Sequence, residues 1–317
     1  MRLVFFGTPE FALPTLDALL AGGHPLVAVV SQPDRPHGRG RQTRPSPVSL
    51  AAQRAQLPLL RPERVGDPAV ADALRELAPD LGVVVAFGQF LPRSIRELPK
   101  LGYLINGHAS LLPKHRGAAP IQRAILAGDA RTGVSVMRVE REMDAGAVAL
   151  VRELAIGPEE TGGELSQRLA RLCAGAISEV VEQIARGSVR WTPQPGAGVT
   201  FAPKLVAADA VLDFRESAAA LVRRVRALAP APGAATRIDG ERLAILAARA
   251  QAGPVDAEPG TVRRGGETPL RIATGEGWLV PLVVQRAGGR ALEIAAFLRG
   301  RPLADGVRLG TGLDSAR

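Results

Sequence analysis

The sequence predicts an α/β domain with a mostly parallel sheet, followed by a smaller domain closed as a β-barrel. Three features carry that expectation. Short apolar runs alternate with amphipathic helical stretches as far as Arg186, a Pro- and Gly-rich stretch interrupts every period from Thr192 to Lys204, and short alternating runs separated by Gly and Pro follow from Ala234. A chain of 317 residues also suits two domains better than one. The expected division is a first domain at 1–191, a linker at 192–205 and a second domain at 206–317.

Taken in order, Leu3 to Phe6 is an apolar strand ending at Gly7, with Thr8 as N-cap and Pro9 opening a helix that runs to Ala21. Further strands are expected at Leu26–Val30, Val83–Phe87, Tyr103–Ile105 and Val134–Val139, with a helix at Pro68–Leu77. Such alternation favours a parallel sheet with helices on both faces. Thr161 and Glu164 form a capping box that opens a long helix to about Arg186, where Gly187 ends it. Beyond the linker, Ser217–Leu228 reads as a helix and the rest as about five strands, for which a barrel is the simplest closure. Leu292–Leu298 fits a strand or a short helix, and its periodicity does not decide between them.

Composition excludes several classes. No run of 18 apolar residues exists to span a bilayer. The N-terminus reads directly into a strand without a secretory signal, so a cytoplasmic protein is expected. The single cysteine, Cys173, allows no intrachain disulfide and should be a buried, inert thiol. Four scattered histidines without metal-ligand spacing give no support for zinc. The net charge is +9, and only three of the 40 basic residues are lysines. Arginine binds phosphate bidentately, which suits an RNA partner, although high genomic G+C content enriches arginine without functional meaning.

Gly7 supplies only one glycine of the dinucleotide fingerprint, so it reads as a tight strand-to-helix turn. The segment Asn106-Gly107-His108-Ala109-Ser110-Leu111-Leu112-Pro113 follows a strand, where open α/β sheets place their ligands. In extended geometry Asn106, His108 and Ser110 share one face. An amide and a protonated imidazole there could hold the oxygen of a tetrahedral intermediate, whereas the plain alternative is a polar strand end turning into a loop. Asp144, in the loop after Val134–Val139, would orient and charge His108 if it reaches it, and could help relay the proton lost by an attacking amine. Equally, Glu140, Glu142 and Asp144 could simply solvate a turn. Residues 32–45 hold Arg35, Arg39, Arg41 and Arg44 against one acid, Asp34. Their prolines and glycines predict an irregular exposed arm, charged for phosphate contact or merely solvated.

These residues carry a pattern that closely resembles methionyl-tRNA formyltransferases over nearly the full length. It rests on Phe6-Gly7-Thr8-Pro9-Glu10-Phe11, on Gln32-Pro33-Asp34-Arg35-Pro36 with Gly38-Arg39-Gly40, and on Asn106 with His108 to Pro113. Arg116-Gly117-Ala118-Ala119-Pro120-Ile121-Gln122 and Ala202-Pro203-Lys204-Leu205 complete it. The resemblance implies a Rossmann-like formyltransferase domain and a C-terminal barrel resembling an OB fold. It further implies a one-carbon transferase that takes its formyl group from 10-formyltetrahydrofolate and delivers it to the amino group of methionyl initiator tRNA, without a metal. Asn106, His108 and Asp144 fall on its catalytic positions. Ser110, Leu111, Leu112 and Pro113 fall on a folate-binding segment, and Arg35, Arg39, Arg41 and Arg44 lie in an arm that approaches the tRNA acceptor stem. A monomer is expected. Gly107 stands where the family usually has a β-branched residue, His115 where an aromatic ring is common, and Phe87, Gln89 and Phe90 where Tyr, Leu and Ile are usual. These departures bear on the shape of the folate pocket.

From Val206 onward the chain has 16 arginines against 12 acids and only three aromatics, Phe214, Trp278 and Phe297. Few rings are therefore available for base stacking, so RNA contact there should be to phosphates. The rival readings are a formyltetrahydrofolate hydrolase or an amino-sugar formyltransferase of the same fold, and, from another class, a non-catalytic RNA-binding protein. The first two share the Asn, His and Asp chemistry; the third would be marked by its loss, and all three residues are present.

Overall fold

In the computed structural model, which describes residues 1–37, 42–265 and 268–310, strands and helices alternate along the first part of the chain. They are β1 (Leu3–Gly7), α1 (Leu13–Ala21), β2 (Leu26–Val30), β3 (Arg35–His37), β4 (Gln42–Arg44), α2 (Pro47–Arg54), β5 (Leu59–Leu60), α3 (Pro68–Glu76), β6 (Leu81–Val85), α4 (Arg93–Arg96), β7 (Leu104–His108), α5 (Pro120–Ala127), β8 (Arg131–Arg138), β9 (Val148–Ala155) and α6 (Gly162–Ala185). Seven strands form one sheet in the order β5-β2-β1-β6-β7-β8-β9. Every pairing from β5 to β7 is parallel, whereas β8 and β9 are antiparallel additions. β1 and β6 are buried along their whole length, as strands covered on both faces must be. On one face Val4, Phe6, Ala28, Val30, Val84 and Leu104 pack with Ala71 and Leu74 of α3 and Ile95 of α4. On the other, α6 lies against β7: a Cβ added to Gly107 would sit 2.4 Å from Cys173 Sγ and 3.3 Å from Ile177.

Several local expectations are refined. The helix after Gly7 does not start at Pro9: a 3₁₀ turn, Glu10–Ala12, precedes α1, whose first turn holds Pro14. Thr8 instead donates its hydroxyl to the Phe87 carbonyl (2.8 Å), tying β1 to the segment after β6. The capping box of α6 is present, with Thr161 N–H on Glu164 Oε2 (2.9 Å) and Glu164 N–H on Thr161 Oγ1 (3.3 Å). The Thr161 N–H, together with the Thr161 hydroxyl on the same Oε2 (2.8 Å), holds the exposed Glu164 carboxyl below its usual range.

The arginine arm corrects the sequence expectation. Its backbone is regular: β3 and β4 pair antiparallel, with Arg35 opposite Arg44 and His37 opposite Gln42. A two-stranded ribbon has free edges on both sides, so Pro36 lacks only an N–H that the pairing does not need. Arg35 and Arg44 are exposed; Arg39 and Arg41 lie outside the described residues.

The chain forms two compact units, one of residues 1–120, 131–155 and 166–203 and another of residues 121–130, 156–165 and those from Lys204 onward. The Pro- and Gly-rich stretch from Thr192 is bonded along the first unit. Thr192 and Val148 exchange backbone bonds (2.8 and 2.9 Å), Arg116 N–H donates to Thr200 O (2.9 Å) and Ala202 N–H to Arg116 O (2.7 Å).

The second unit carries α7 (Ala218–Leu228), β10 (Ala234–Ile238), β11 (Glu241–Gln251), β12 (Val262–Arg263), β13 (Arg271–Ala273), β14 (Trp278–Arg286), β15 (Ala291–Glu293) and α8 (Ile294–Gly300). The last two share the segment whose periodicity allowed either structure. The antiparallel path runs β10-β11-β14-β13-β12, with β15 on β14, and register shifts near Ala247 bend β11. Residues 307–310 join its free ends and close the barrel. Arg237 and Gly310 exchange backbone bonds (3.3 and 3.0 Å), Val262 N–H donates to Val307 O (2.8 Å) and Leu309 N–H to Gly260 O (2.9 Å). Before the barrel, Asp209 accepts both terminal nitrogens of Arg123 (2.9 and 3.0 Å). Burial pushes its carboxyl up, but the Val206 N–H and the Arg123 guanidinium outweigh that and hold it below the ordinary range.

No helix among the described residues is long and apolar enough to cross a membrane. Cys173 is fully buried, and burial pushes its thiol pKa up to about 12. Because the thiolate is the reactive form, Cys173 should resist thiol reagents in mildly alkaline native buffer and react at the ordinary rate only in denaturant. Fast labelling of the native chain would contradict this packing.

Candidate active site

The site is built at the C-terminal end of β7. This strand pairs with β6 through Val84 and Asn106, and with β8 through His108 and Ser135. Side chains alternate along it, so Gly107 turns to α6 while Asn106 and His108 turn together to the opposite face. Gly107 is needed because α6 approaches so closely: any side chain would displace Cys173. The sequence signal for this was the departure at Gly107 itself, and its meaning lay in a helix 66 positions further on. His108 is only 6% exposed and Asn106 is half-buried.

The expected convergence of a third group fails at Ser110. The chain turns immediately after β7, with Ser110 N–H bonded back to His108 O (2.9 Å), so the alternation stops. Ser110 is fully buried and its hydroxyl donates to Lys114 O (2.6 Å). Ser135 Oγ donates to Ser110 O (2.8 Å) and accepts Leu112 N–H (3.1 Å), pinning the loop to β8. Leu111, Leu112 and Pro113 remain half-buried, with apolar surface still open to contact.

The same loop delivers one group to the histidine and one to the carboxylate beside it. His115, in left-handed backbone geometry (φ 57°), points its carbonyl at His108 Nε2 (2.9 Å), while its N–H donates to Thr200 Oγ1 (2.9 Å). Gly117 (φ 126°) donates its N–H to Asp144 Oδ2 (2.8 Å). A Cβ on Gly117 would lie 2.6 Å from the Ala202 carbonyl, so only glycine fits there. Asp144 Oδ2 in turn stands 3.5 Å from His108 Nδ1, and both side chains are largely buried. Asp144 therefore reaches His108, 36 positions away along the chain.

The protonation pattern follows from these partners. A carbonyl oxygen only accepts, so the Nε2 facing His115 O carries a hydrogen. A second proton, on Nδ1, would make the ring cationic, with the Asp144 carboxylate as its counter-charge. At 3.5 Å the Asp144 carboxylate faces Nδ1 without closing a short hydrogen bond to it. Asn106 makes no side-chain hydrogen bond among the described residues, leaving its carboxamide free on the same face.

Two residues behind Asp144 were not anticipated. Arg116, only 7% exposed, directs its guanidinium to Gln194 Oε1 (Nη2 2.8 Å, Nε 3.2 Å) and to Glu142 (3.4 Å). Gln194 Nε2 donates to the carbonyls of Asp144 (2.8 Å) and Gly146 (2.9 Å). Gln194 was hidden because its stretch reads as a connector; its flanking prolines were the one available signal of a rigid course.

At the same end of the sheet, beyond β2 and β6, a cleft of about 450 Å³ is lined by Gln32, Arg35, Arg64, Gln89 and Phe90. Gln89 is fixed by Val65 N–H (2.8 Å) and Pro62 O (3.1 Å), and Phe87 packs edge-on against Phe6 at 5.6 Å. Phe90 is 70% exposed beside Arg35 at the base of the arm. No group of three or more His, Cys, Asp or Glu among the described residues could hold a metal ion.

Known proteins agree with this architecture. The formyl transferase family model matches residues 1–181, and the model of the formyl transferase C-terminal domain matches residues 204–302. The methionyl-tRNA formyltransferase of Acidiphilium cryptum is 48% identical over 98% of this chain and 100% of its own length. That of Halorhodospira halophila is 47% identical over 96% and 98%. Among solved structures, WlaRD, a sugar 3N-formyl transferase crystallised in the presence of dTDP and 5-N-formyl-THF, superposes with a TM-score of 0.66 at 15% identity, covering 92% of this chain and 99% of that one. HypX from Aquifex aeolicus in complex with tetrahydrofolic acid superposes at 0.63 and 18% identity, covering 94% of this chain and 47% of its own. At such low identity these two show a shared fold alone. Identity near one half over both whole lengths shows more: this chain belongs to the methionyl-tRNA formyltransferase family.

Proposed function

We propose that the chain transfers the formyl group of 10-formyltetrahydrofolate to the α-amino group of methionyl initiator tRNA, with Asn106, His108 and Asp144 as its catalytic residues. The observation that carries this reading is a buried histidine–carboxylate pair at the C-terminal end of a sheet strand, with the Asn106 carboxamide two positions before the histidine on the same strand. The site fits the folate: Asn106 offers an unused amide on a half-buried face, and Leu111, Leu112 and Pro113 offer apolar surface for a flat ring. When bound, the folate supplies a formyl group on a nitrogen that can depart with its electron pair. Asn106 N–H and, when protonated, the His108 ring oppose the negative charge that develops on the formyl oxygen. Asp144 holds that ring and takes up the proton lost by the attacking amine. Ser110 acts by shaping the folate loop, since its hydroxyl is already bonded to Lys114 O.

The tRNA is met by the arginine arm, through Arg35 and Arg44 in the ribbon and Arg39 and Arg41 between its strands. The division we propose is a catalytic domain at 1–191, a connecting stretch at 192–205 and a tRNA-binding, OB-fold-like domain at 206–317. The protein works in the cytoplasm as a monomer. Close identity with tRNA-modifying relatives over both domains favours a tRNA acceptor over an amino sugar.

The assay is labelled formyl-folate with purified protein and methionylated initiator tRNA. Product on the tRNA is expected, and formylation of an amino sugar instead would reverse the acceptor. Replacing His108 with Ala should lower turnover about 100-fold with tRNA affinity nearly unchanged, and near-normal turnover would remove the histidine from the mechanism. Replacing Arg39 and Arg41 together should raise the KM for tRNA, spare folate binding and flatten the steep fall of tRNA affinity with salt. A wild-type KM and salt slope would count against the arm.

A further inference from the structure

We infer that Gln194 is a positioning residue for formyl transfer, whose amide sets the Asp144 carboxylate in place beside His108. The inference rests on the catalytic reading of Asp144 given above. Its geometry is fully specified. Arg116 can only donate, so the Gln194 oxygen must face it, and the two carbonyls of Asp144 and Gly146 can only accept, so the nitrogen must face them. A flipped amide would set N–H against guanidinium and oxygen against both carbonyls. All four hydrogen-bonding positions of the amide are thus used, in one orientation.

Asp144 needs such a holder. It sits at φ 52°, in the left-handed region that a side chain other than glycine adopts at a cost, and it lies in a loop between β8 and β9. Its side chain is fixed by Gly117 N–H and its backbone carbonyl by Gln194. With only the first bond, the residue can relax its backbone and carry the carboxylate away from His108. Arg116 fixes the other end of the device: a buried guanidinium holds the Gln194 oxygen, and its own chain neighbour, Gly117, holds the Asp144 carboxylate. The two contacts on Asp144 therefore share a single anchor.

The test uses the full-length protein with Gln194→Glu and Gln194→Ala, each alone and combined with Asp144→Asn. Gln194→Glu keeps the volume and an acceptor for Arg116 but replaces the two donors with an anionic oxygen, whereas Gln194→Ala removes the bonds without adding charge, so a loss common to both reports the lost contact to the Asp144 loop. Both variants should lower turnover about 10- to 100-fold, as displacement of a catalytic group does, with KM for folate and for tRNA within about twofold of wild type. In the Asp144→Asn background the same changes should cause no further loss, because the group they position is already gone. If Asp144→Asn itself turns over normally, the reading of Asp144 fails and this proposal with it. If Asp144→Asn is impaired while both Gln194 variants turn over normally, or if the losses simply multiply, the positioning role alone is overturned.

Discussion

The carboxylate of Asp144 is caught between a backbone N–H and an imidazole, and the rest of the site is arranged around that capture. Gly117 N–H lies 2.8 Å from Oδ2 and His108 Nδ1 lies 3.5 Å from the same atom. A carboxylate so largely buried is costly unless it is paired and hydrogen-bonded, and here it has both partners. The arrangement also determines the histidine. His115 O claims one ring nitrogen, the carboxylate faces the other, and the ring is thereby held in one orientation in a poorly solvated place. That is the environment in which a fixed polar group does most for a reaction that creates a negative oxygen.

Such a capture demands close approach of backbones, and the glycines mark where it happens. Gly117 lets the loop pass within reach of the Ala202 carbonyl while aiming its N–H at Asp144. Gly107 lets α6 press on β7, fixing the strand whose opposite face carries Asn106 and His108. The Cys173 sulfur stands where a side chain at position 107 would have to go, so the glycine is what lets strand and helix meet.

Much of this was legible from the residues. Parallel strands declared themselves as unbroken apolar runs, Thr161 and Glu164 announced the start of α6, and the spacing of Asn106 and His108 put both on one face. What escaped was set by distant partners or by turns. The alternation that predicted a place for Ser110 holds only while the chain is extended, and a bond from Ser110 N–H to His108 O ends it. The prolines and glycines of the arm suggested irregular backbone, yet a two-stranded ribbon leaves enough unpaired edge to accommodate Pro36. Gln194 was invisible because its role depends on Arg116 and Asp144, 78 and 50 positions away. The recognisable motifs supplied the family, and the physical reason for each residue came only with the contacts.

The claim on which the account turns is that His108 carries a hydrogen on Nε2, donated to the His115 carbonyl. Nitrogen-15 NMR of the imidazoles, with His108 assigned by substitution, reads this directly. The account predicts a ring with a hydrogen on Nε2. A ring carrying its only hydrogen on Nδ1 would contradict it.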